Sequence, residues 1–395
     1  MVRGAHVMLY TVTIFNDGEA VNIHDRYERI AGAQVSKERN AIDCLSFTIY
    51  PDNPGYDLLR RMKTTIQVRN GKTGRLDFDG RVVKAPSSMD ASGTVFKSVQ
   101  CEGVEAYLCD STQPYLAERQ WSGGSGRSGL QEFIDYVLAR HNERVEPHKR
   151  IYRGRVDLVT YETTGGVYKG LQRESTRDTL AKKLVDVFGG EMRVRRNEED
   201  GLLYLDYSQR LGTERDAPIE VARNMASVTM DEDPTQIITR LRPLGAKKEG
   251  SEDRITVAPA NSGREYVDDE EAMAEYGIIE GTHTWDDVTQ PANLLSAARS
   301  WLTANNRFPH SAAVSAYDLS LIDLAPDEFA LLDWYRCRNP LVGLDESLEI
   351  IKQTININEP HASSIDLGDS TARQSSQATA ALASKVAELE KLLGL

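Results

Sequence analysis

Ile237–Ala246, with the sequence IITRLRPLGA, sets the character of this chain. In an extended segment Ile237, Thr239 and Leu241 face one side, and Ile238, Arg240 and Arg242 the other. Pro243 removes a backbone donor and Gly245 permits a turn, so the strand ends there. Enzymes often place a nucleophile, a metal ligand or an acid–base pair at such a strand end. Here there is none, and the segment reads as architecture.

Upstream, strand signals dominate the first hundred residues. Leu45, Phe47 and Ile49 alternate with Ser46 and Thr48, which predicts a half-buried strand ending at the turn cluster Pro51-Asp-Asn-Pro-Gly. Thr64–Arg69, Gly80–Lys84 and Thr94–Cys101 repeat the pattern, and short strands at this spacing suggest an antiparallel sandwich or barrel. From about Glu102 the chain turns mixed. Ser128-Gly-Leu-Gln has the form of a capping box, and Leu130, Phe133, Ile134, Val137 and Leu138 make the apolar stripe of the helix behind it. A second helix opens at Ser175, turns Leu180, Leu184, Val187 and Phe188 inward, and stops at Gly189-Gly190. Glu191–Arg196 and Leu202–Tyr207 then form a hairpin around Asn197-Glu-Glu-Asp-Gly.

Strands return over Ile219–Gly245. Two helices are predicted within Ala246–His310, over Asp269–Tyr276 and Pro291–Asn305, the second with an apolar face of Leu294, Leu295, Ala298, Trp301 and Leu302. Strands resume at Ala313–Leu321 and Leu348–Ile357, so Ala246–His310 reads as an insert in a second strand-built unit. After Pro360 the composition is that of a linker. Leu382, Val386, Leu389 and Leu393 then follow the 4-3-4 spacing of a coiled-coil seam, over about two heptads, which predicts a helix that bundles with identical copies or, alternatively, one amphipathic helix docked on its own domain.

A length of 395 residues implies two to four domains, and 40% hydrophobic with 27% charged residues is ordinary for a globular chain. No apolar run approaches the ~20 residues of a membrane span. The start, one Arg followed by a strand-like alternation, does not have the form of a secretory signal. Cys44, Cys101, Cys109 and Cys337 show no CxxC pairing and read as free structural thiols. A formal net charge of −13 argues against a nucleic-acid binder, which gains affinity by neutralising phosphates with Lys and Arg.

Candidate chemistry is thin. Gly124–Gly129 fits GxGxxG and leads into a helix, but no buried strand precedes it and no P-loop Lys-Ser/Thr follows, so it reads as a loop before a capped helix. There is no HExxH and no GxSxG, and the seven histidines (6, 24, 141, 148, 283, 310, 361) form no clustered pair. The richest local set, His283 with Asp286 and Asp287, reads as a surface hydrogen-bonding loop. The carboxylate runs Asp231–Asp233 and Asp268–Glu271 read as solvated, the second also favoured by a helix start. Catalytic, cofactor-binding and metal residues are therefore expected to be none.

Several stretches carry a family resemblance. These are Tyr50-Pro-Asp-Asn-Pro-Gly-Tyr-Asp, Phe78-Asp-Gly-Arg-Val, Glu102-Gly-Val-Glu-Ala-Tyr-Leu, Thr179–Glu191, Asn224–Asp233 and Thr239-Arg-Leu-Arg-Pro-Leu-Gly. In this order, over roughly Met8 to Pro360, they resemble the phage tail-tip and baseplate hub proteins of the tail-associated lysin (prophage tail endopeptidase) family. The resemblance implies an α+β, mainly β fold. It would have two antiparallel β-barrel-like tube domains (1–101, and 209–245 with 311–360), a mixed α+β peripheral domain (102–208), an inserted helical segment (246–310), and a linker with a C-terminal trimerisation helix (361–395). It implies a virion structural protein, assembled in the bacterial cytoplasm, that forms a homotrimeric hub at the tail tip. Its partners would be a distal tail or tail tube ring, the tape-measure protein and a C-terminal fibre or spike. DNA would pass through a channel without specific binding, and an acidic wall would help it slide. The alternatives are a cell-wall-degrading endopeptidase or a receptor-binding module; lytic domains in the family sit in a separate C-terminal extension, so the activity is not carried over.

Overall fold

The structure, a computed structural model, describes residues 9–124, 126–158, 167–232, 237–248, 250–286, 288–305, 310–316 and 329–368. The chain is mainly β. The first unit supplies β1 (Tyr10–Asn16), β2 (Glu19–His24), β3 (Ala31–Glu38), β4 (Cys44–Ile49), β5 (Thr65–Asn70), β6 (Leu76–Lys84), β7 (Ser87–Met89) and β8 (Val95–Gly103). In β4, Leu45, Phe47 and Ile49 are buried and Cys44 and Ser46 exposed, which is the predicted alternation. The core beneath these strands is built from Val12, Ile14, Val35, Leu45, Phe47, Ile66, Val68 and Phe78 among others.

The mixed unit follows: β9 (Tyr115–Trp121), α1 (Gly129–Asn142), β10 (Ile151–Val156), β11 (Val167–Gln172), helix α2, β12 (Glu191–Arg196) and β13 (Leu203–Ser208). The capping box at α1 is formed: the Ser128 hydroxyl accepts from the Gln131 N–H, and the Gln131 side chain accepts from the Ser128 N–H. All five residues of the predicted stripe are buried. Helix α2 starts at Thr176 behind the Ser175 cap, widens into a π turn over Ala181–Val185, and closes over Asp186–Phe188. That widening rotates the face, so Leu180 and Leu184 are buried whereas Val187 is only half-buried. β12 and β13 pair antiparallel as the predicted hairpin, and β10 runs parallel to β13.

The remaining segments are β14 (Glu214–Glu220), β15 (Met225–Glu232), β16 (Arg240–Leu244), β17 (Val267–Asp268), α3 (Glu270–Tyr276), β18 (Glu280–Thr284), α4 (Pro291–Asn305), β19 (His310–Ala316), β20 (Trp334–Asn339), β21 (Leu344–Asn356) and β22 (Ser364–Gly368). Among the described residues, one 14-stranded sheet runs β15-β19-β22-β21-β3-β4-β8-β6-β5-β1-β2, with β20 and β14 branching from β21, and β7 from β8. The thirteen residues of β21 make this continuity. Its first half pairs with β20, and its last residues pair with β3 from Lys352↔Glu38 to Asn356↔Gln34. Ile355 and Ile357 end in the core of the first unit, and Asn358 there accepts from the Ala33 N–H and donates to the Ile30 carbonyl.

Two expectations change. The main path of the sheet ends at β2 and β15, its branches end at β14 and β7, and no pairing returns one end to another, so no closed barrel is found among the described residues of one chain. The opening stretch does not join the large sheet either. β16 pairs with β17 and β18, both from the predicted insert, and Leu241 is buried with Val257, Trp285, Leu294, Ala298 and Leu302. Alternation along a strand fixes its faces but not its partners. The predicted seam residues Leu382, Val386, Leu389 and Leu393 lie outside the described residues, as does part of the strand expected at Ala313–Leu321.

Candidate functional site

Sequence patterning gave no chemical site, and the structure disperses the residues that came nearest to one. His283 lies on β18, stacked on Trp301 (4.9 Å between ring centroids) and edge-on to Trp285 (4.4 Å). Burial holds its imidazole below the ordinary histidine range. It is an aromatic packing residue rather than part of the expected surface loop, and Asp286 pairs with Arg254 instead. Asp268 is held by two Arg240 hydrogen bonds of 2.7 and 2.9 Å, and Asp269 caps α3 by accepting from the Ala272 N–H. Both acids thus have structural partners, beyond the solvated role expected. At the GxGxxG loop, Ser128 caps the helix and the Glu132 carboxylate accepts from the Gly123 N–H at 2.9 Å, just before the loop. All four cysteines are free thiols. No His, Cys, Asp or Glu cluster able to hold a metal occurs among the described residues.

One pairing escaped the sequence reading because its members are thirty residues apart. The Ser111 hydroxyl lies 2.7 Å from His141 Nδ1, and His141 Nε2 faces the Lys149 carbonyl at 3.1 Å. That carbonyl requires the proton on Nε2, so Nδ1 accepts from Ser111. Ser111 and His141 are both buried, and Thr176 and Gln113 complete the network. The Ser111 hydroxyl is thus engaged in buried hydrogen bonds. Local sequence gives no signal for such a contact.

The most polar buried region is the face where the mixed unit meets the large sheet. Asn40, just past β3, sits at φ 56°. Its amide donates to the Gly190 carbonyl (3.1 Å) and accepts from the Met192 N–H (2.7 Å), and Arg177 donates to its own carbonyl. Nearby, Lys37 faces Asp77 at 3.9 Å, both fully buried, and Arg196 of β12 reaches Asp79 of β6 at 2.6 Å. Arg81 is clamped between Asp110 and Glu102 and lies over the Tyr107 ring. Glu349 of β21 is fully buried beside Arg39 (3.7 Å), and its other neighbour is the carboxyl of Glu191 on β12. Burial pushes the Glu349 carboxyl up to about 8. Glu105 is likewise raised to about 8 by burial and by Asp43. A void of about 10 Å³ lies between Arg39, Asp43, Glu105, Arg193 and Leu332, room for one water at most. A wider open groove of about 520 Å³ lies on the same side, where Asp79 and Arg196 meet Tyr107 and His148. Taken together this face joins the units: Arg196–Asp79 and the Asn40 hydrogen bonds cross it, while Glu349 lies buried against a second carboxyl.

Comparison with known proteins bears on that architecture. Residues 213–377 match the family described as prophage endopeptidase tail. A search of curated protein sequences found no match. Three solved structures are similar over nearly their whole length. The prophage tail protein gp18 from Listeria monocytogenes EGD-e has a TM-score of 0.61 at 14% identity, covering 98% of this chain and 100% of that one. The 43 kDa tail protein of prophage MuSo2 from Shewanella oneidensis has a TM-score of 0.59 at 13% identity, covering 91% and 98%. The tail protein from Neisseria meningitidis MC58 has a TM-score of 0.57 at 12% identity, covering 91% and 97%. Residues 213–377 thus match a prophage tail family, and the fold of the whole chain is similar to that of prophage tail proteins.

Proposed function

We propose that this protein is a structural hub at the distal end of a phage tail tube, acting as a homotrimer around a central channel. The observation that carries the reading is the single open sheet whose end strands, β2 and β15, lie at opposite limits of one long strand order. An unpaired strand edge is a template for further pairing. A head-to-tail contact that joins one copy's β2 edge to the next copy's β15 edge forms a ring when the rotation closes. Three copies, each contributing two β units, then offer six similar elements to a six-fold ring of tube or distal tail protein. The two β units are residues 1–101 and 209–245 with 311–360; residues 102–208 and 246–310 stand at the periphery, with β16 belonging to the latter. Residues 361–395 continue the three-fold axis towards a fibre or spike, with Leu382, Val386, Leu389 and Leu393 as its seam. DNA and the tape-measure protein pass through the bore without specific binding, and the protein assembles in the host cytoplasm.

A catalytic role has less support. His24 and His141 are engaged in backbone contacts and His283 in aromatic packing, and the structural relatives are tail proteins. Sedimentation equilibrium of the purified full chain tests the hub reading, with three-fold mass expected. A monomer up to high concentration, together with tips lacking three-fold symmetry in images of assembled tails, overturns it.

A further inference from the structure

Two carboxyl pairs lie across the same buried face. Glu191, on β12 of the mixed unit, meets Glu349, on β21 of the large sheet. Glu105, at the start of the mixed unit, lines the same small void as Asp43, in the turn between β3 and β4. Glu191 and Glu349 are each no more than 1% exposed. Neither oxygen of Glu349 meets an N–H or O–H donor, while one oxygen of Glu191 already accepts from the Leu211 N–H. Two ionised carboxylates cannot hold this contact, because both are acceptors; a proton between them can. The charged groups facing the first pair are Arg39, from the end of β3, and Arg210, which lies over the Trp334 ring. Those facing the second are Lys37, itself opposite Asp77 and near Arg75, and Arg193. Arg39 Nε makes no hydrogen bond and stays 3.7 Å from Glu349, so the guanidinium does not neutralise the pair by direct contact.

We propose that this face is a proton-operated latch: one proton shared by Glu191 and Glu349, and a second held on Glu105 beside Asp43, fasten the mixed unit to the large sheet, and releasing them to solvent loosens it. Glu191 and Glu105 come from the mixed unit, and their partners come from strands or turns of the sheet. Protonation therefore acts on how the units are joined, and leaves the core of each unit alone. The sign follows from the raised folded-state affinity of the acids. The folded protein binds more protons than the unfolded chain between the ordinary carboxylate range and about pH 8. Attachment is therefore firmest in mild acid and weakens as pH rises to about 8.

The test uses the full chain and amide hydrogen exchange, expressed as protection factors so that the intrinsic pH dependence of exchange cancels. Between pH 6 and pH 9, protection of the Leu211 and Met192 amides, which bond across this face, is expected to fall roughly ten- to a hundredfold. Val12 and Ile66, inside the first core, should keep theirs. Glu349→Gln and Glu105→Gln, which keep a donor without a titratable proton, should flatten the fall. Infrared spectroscopy of the unmodified protein should show a protonated-carboxyl band at pH 7, whether or not the variants fold. Protection that is independent of pH, variants that retain the full pH dependence, or absence of that band would each overturn the latch.

Discussion

Replacing Asn40 by alanine gives the sharpest test of how the mixed unit is held. Asn40→Ala removes two hydrogen bonds across the face, to Gly190 and from Met192. Each is worth about 0.5–1.5 kcal/mol net, and more where the abandoned group stays buried. It also forces a Cβ-bearing residue without a helpful side chain to remain at φ 56°, at a cost of roughly 1 kcal/mol. The sum is about 3 kcal/mol, roughly a hundredfold in the equilibrium between attached and detached units. Asn40→Gly loses the same bonds and escapes the backbone penalty, so it should cost about 1 kcal/mol less than alanine, partly offset by greater freedom of the unfolded chain. Guanidinium unfolding, followed by far-ultraviolet circular dichroism and by tryptophan fluorescence, measures both variants. Two probes are needed because a chain with several cores need not unfold in one step. A shift below about 0.5 kcal/mol for alanine, or a glycine variant weaker than the alanine one, would refute the assignment of Asn40 as the fastening residue.

Other consequences are open to direct measurement. A Cβ at Gly80 would lie 2.1 Å from the Glu102 carbonyl oxygen on the paired strand, so Gly80→Ala should cost 3 kcal/mol or more, read as a lowered unfolding midpoint. Arg81→Met removes the partner of Glu102 and leaves Asp110 to Lys149 alone, and should cost about 2–4 kcal/mol; Arg81→Lys should recover only part, since a single ammonium cannot copy the two-pronged grip on Asp110. Burial holds His24 down to about 4, so the unfolded chain takes up a proton first as pH falls below 6.5. Stability should therefore decline between pH 6.5 and about 4, and His24→Gln should lessen that decline in unfolding curves measured across this range. Ser111→Ala should lower stability by about 1–2 kcal/mol without changing assembly into tails, because the hydroxyl serves the buried His141 network.

The sequence by itself determined the local elements. The alternation at Leu45–Ile49, the Ser128 cap with its five-residue stripe, the Glu191–Tyr207 hairpin and the Pro291–Asn305 helix all depend on contacts within a few residues, and all form as read. Tertiary structure alone decided the partners. Nothing in IITRLRPLGA says that Arg240–Leu244 pairs with Val267–Asp268 and Glu280–Thr284 instead of the large sheet. Nothing in Lys352–Asn356 says that it continues the sheet of a unit three hundred residues earlier. The carboxyls at 43, 105, 191 and 349 look like ordinary surface acids until the fold brings them to one face. A strand's pleat fixes which side chains share a face, whereas its neighbour is chosen by burial and charge summed over the whole chain.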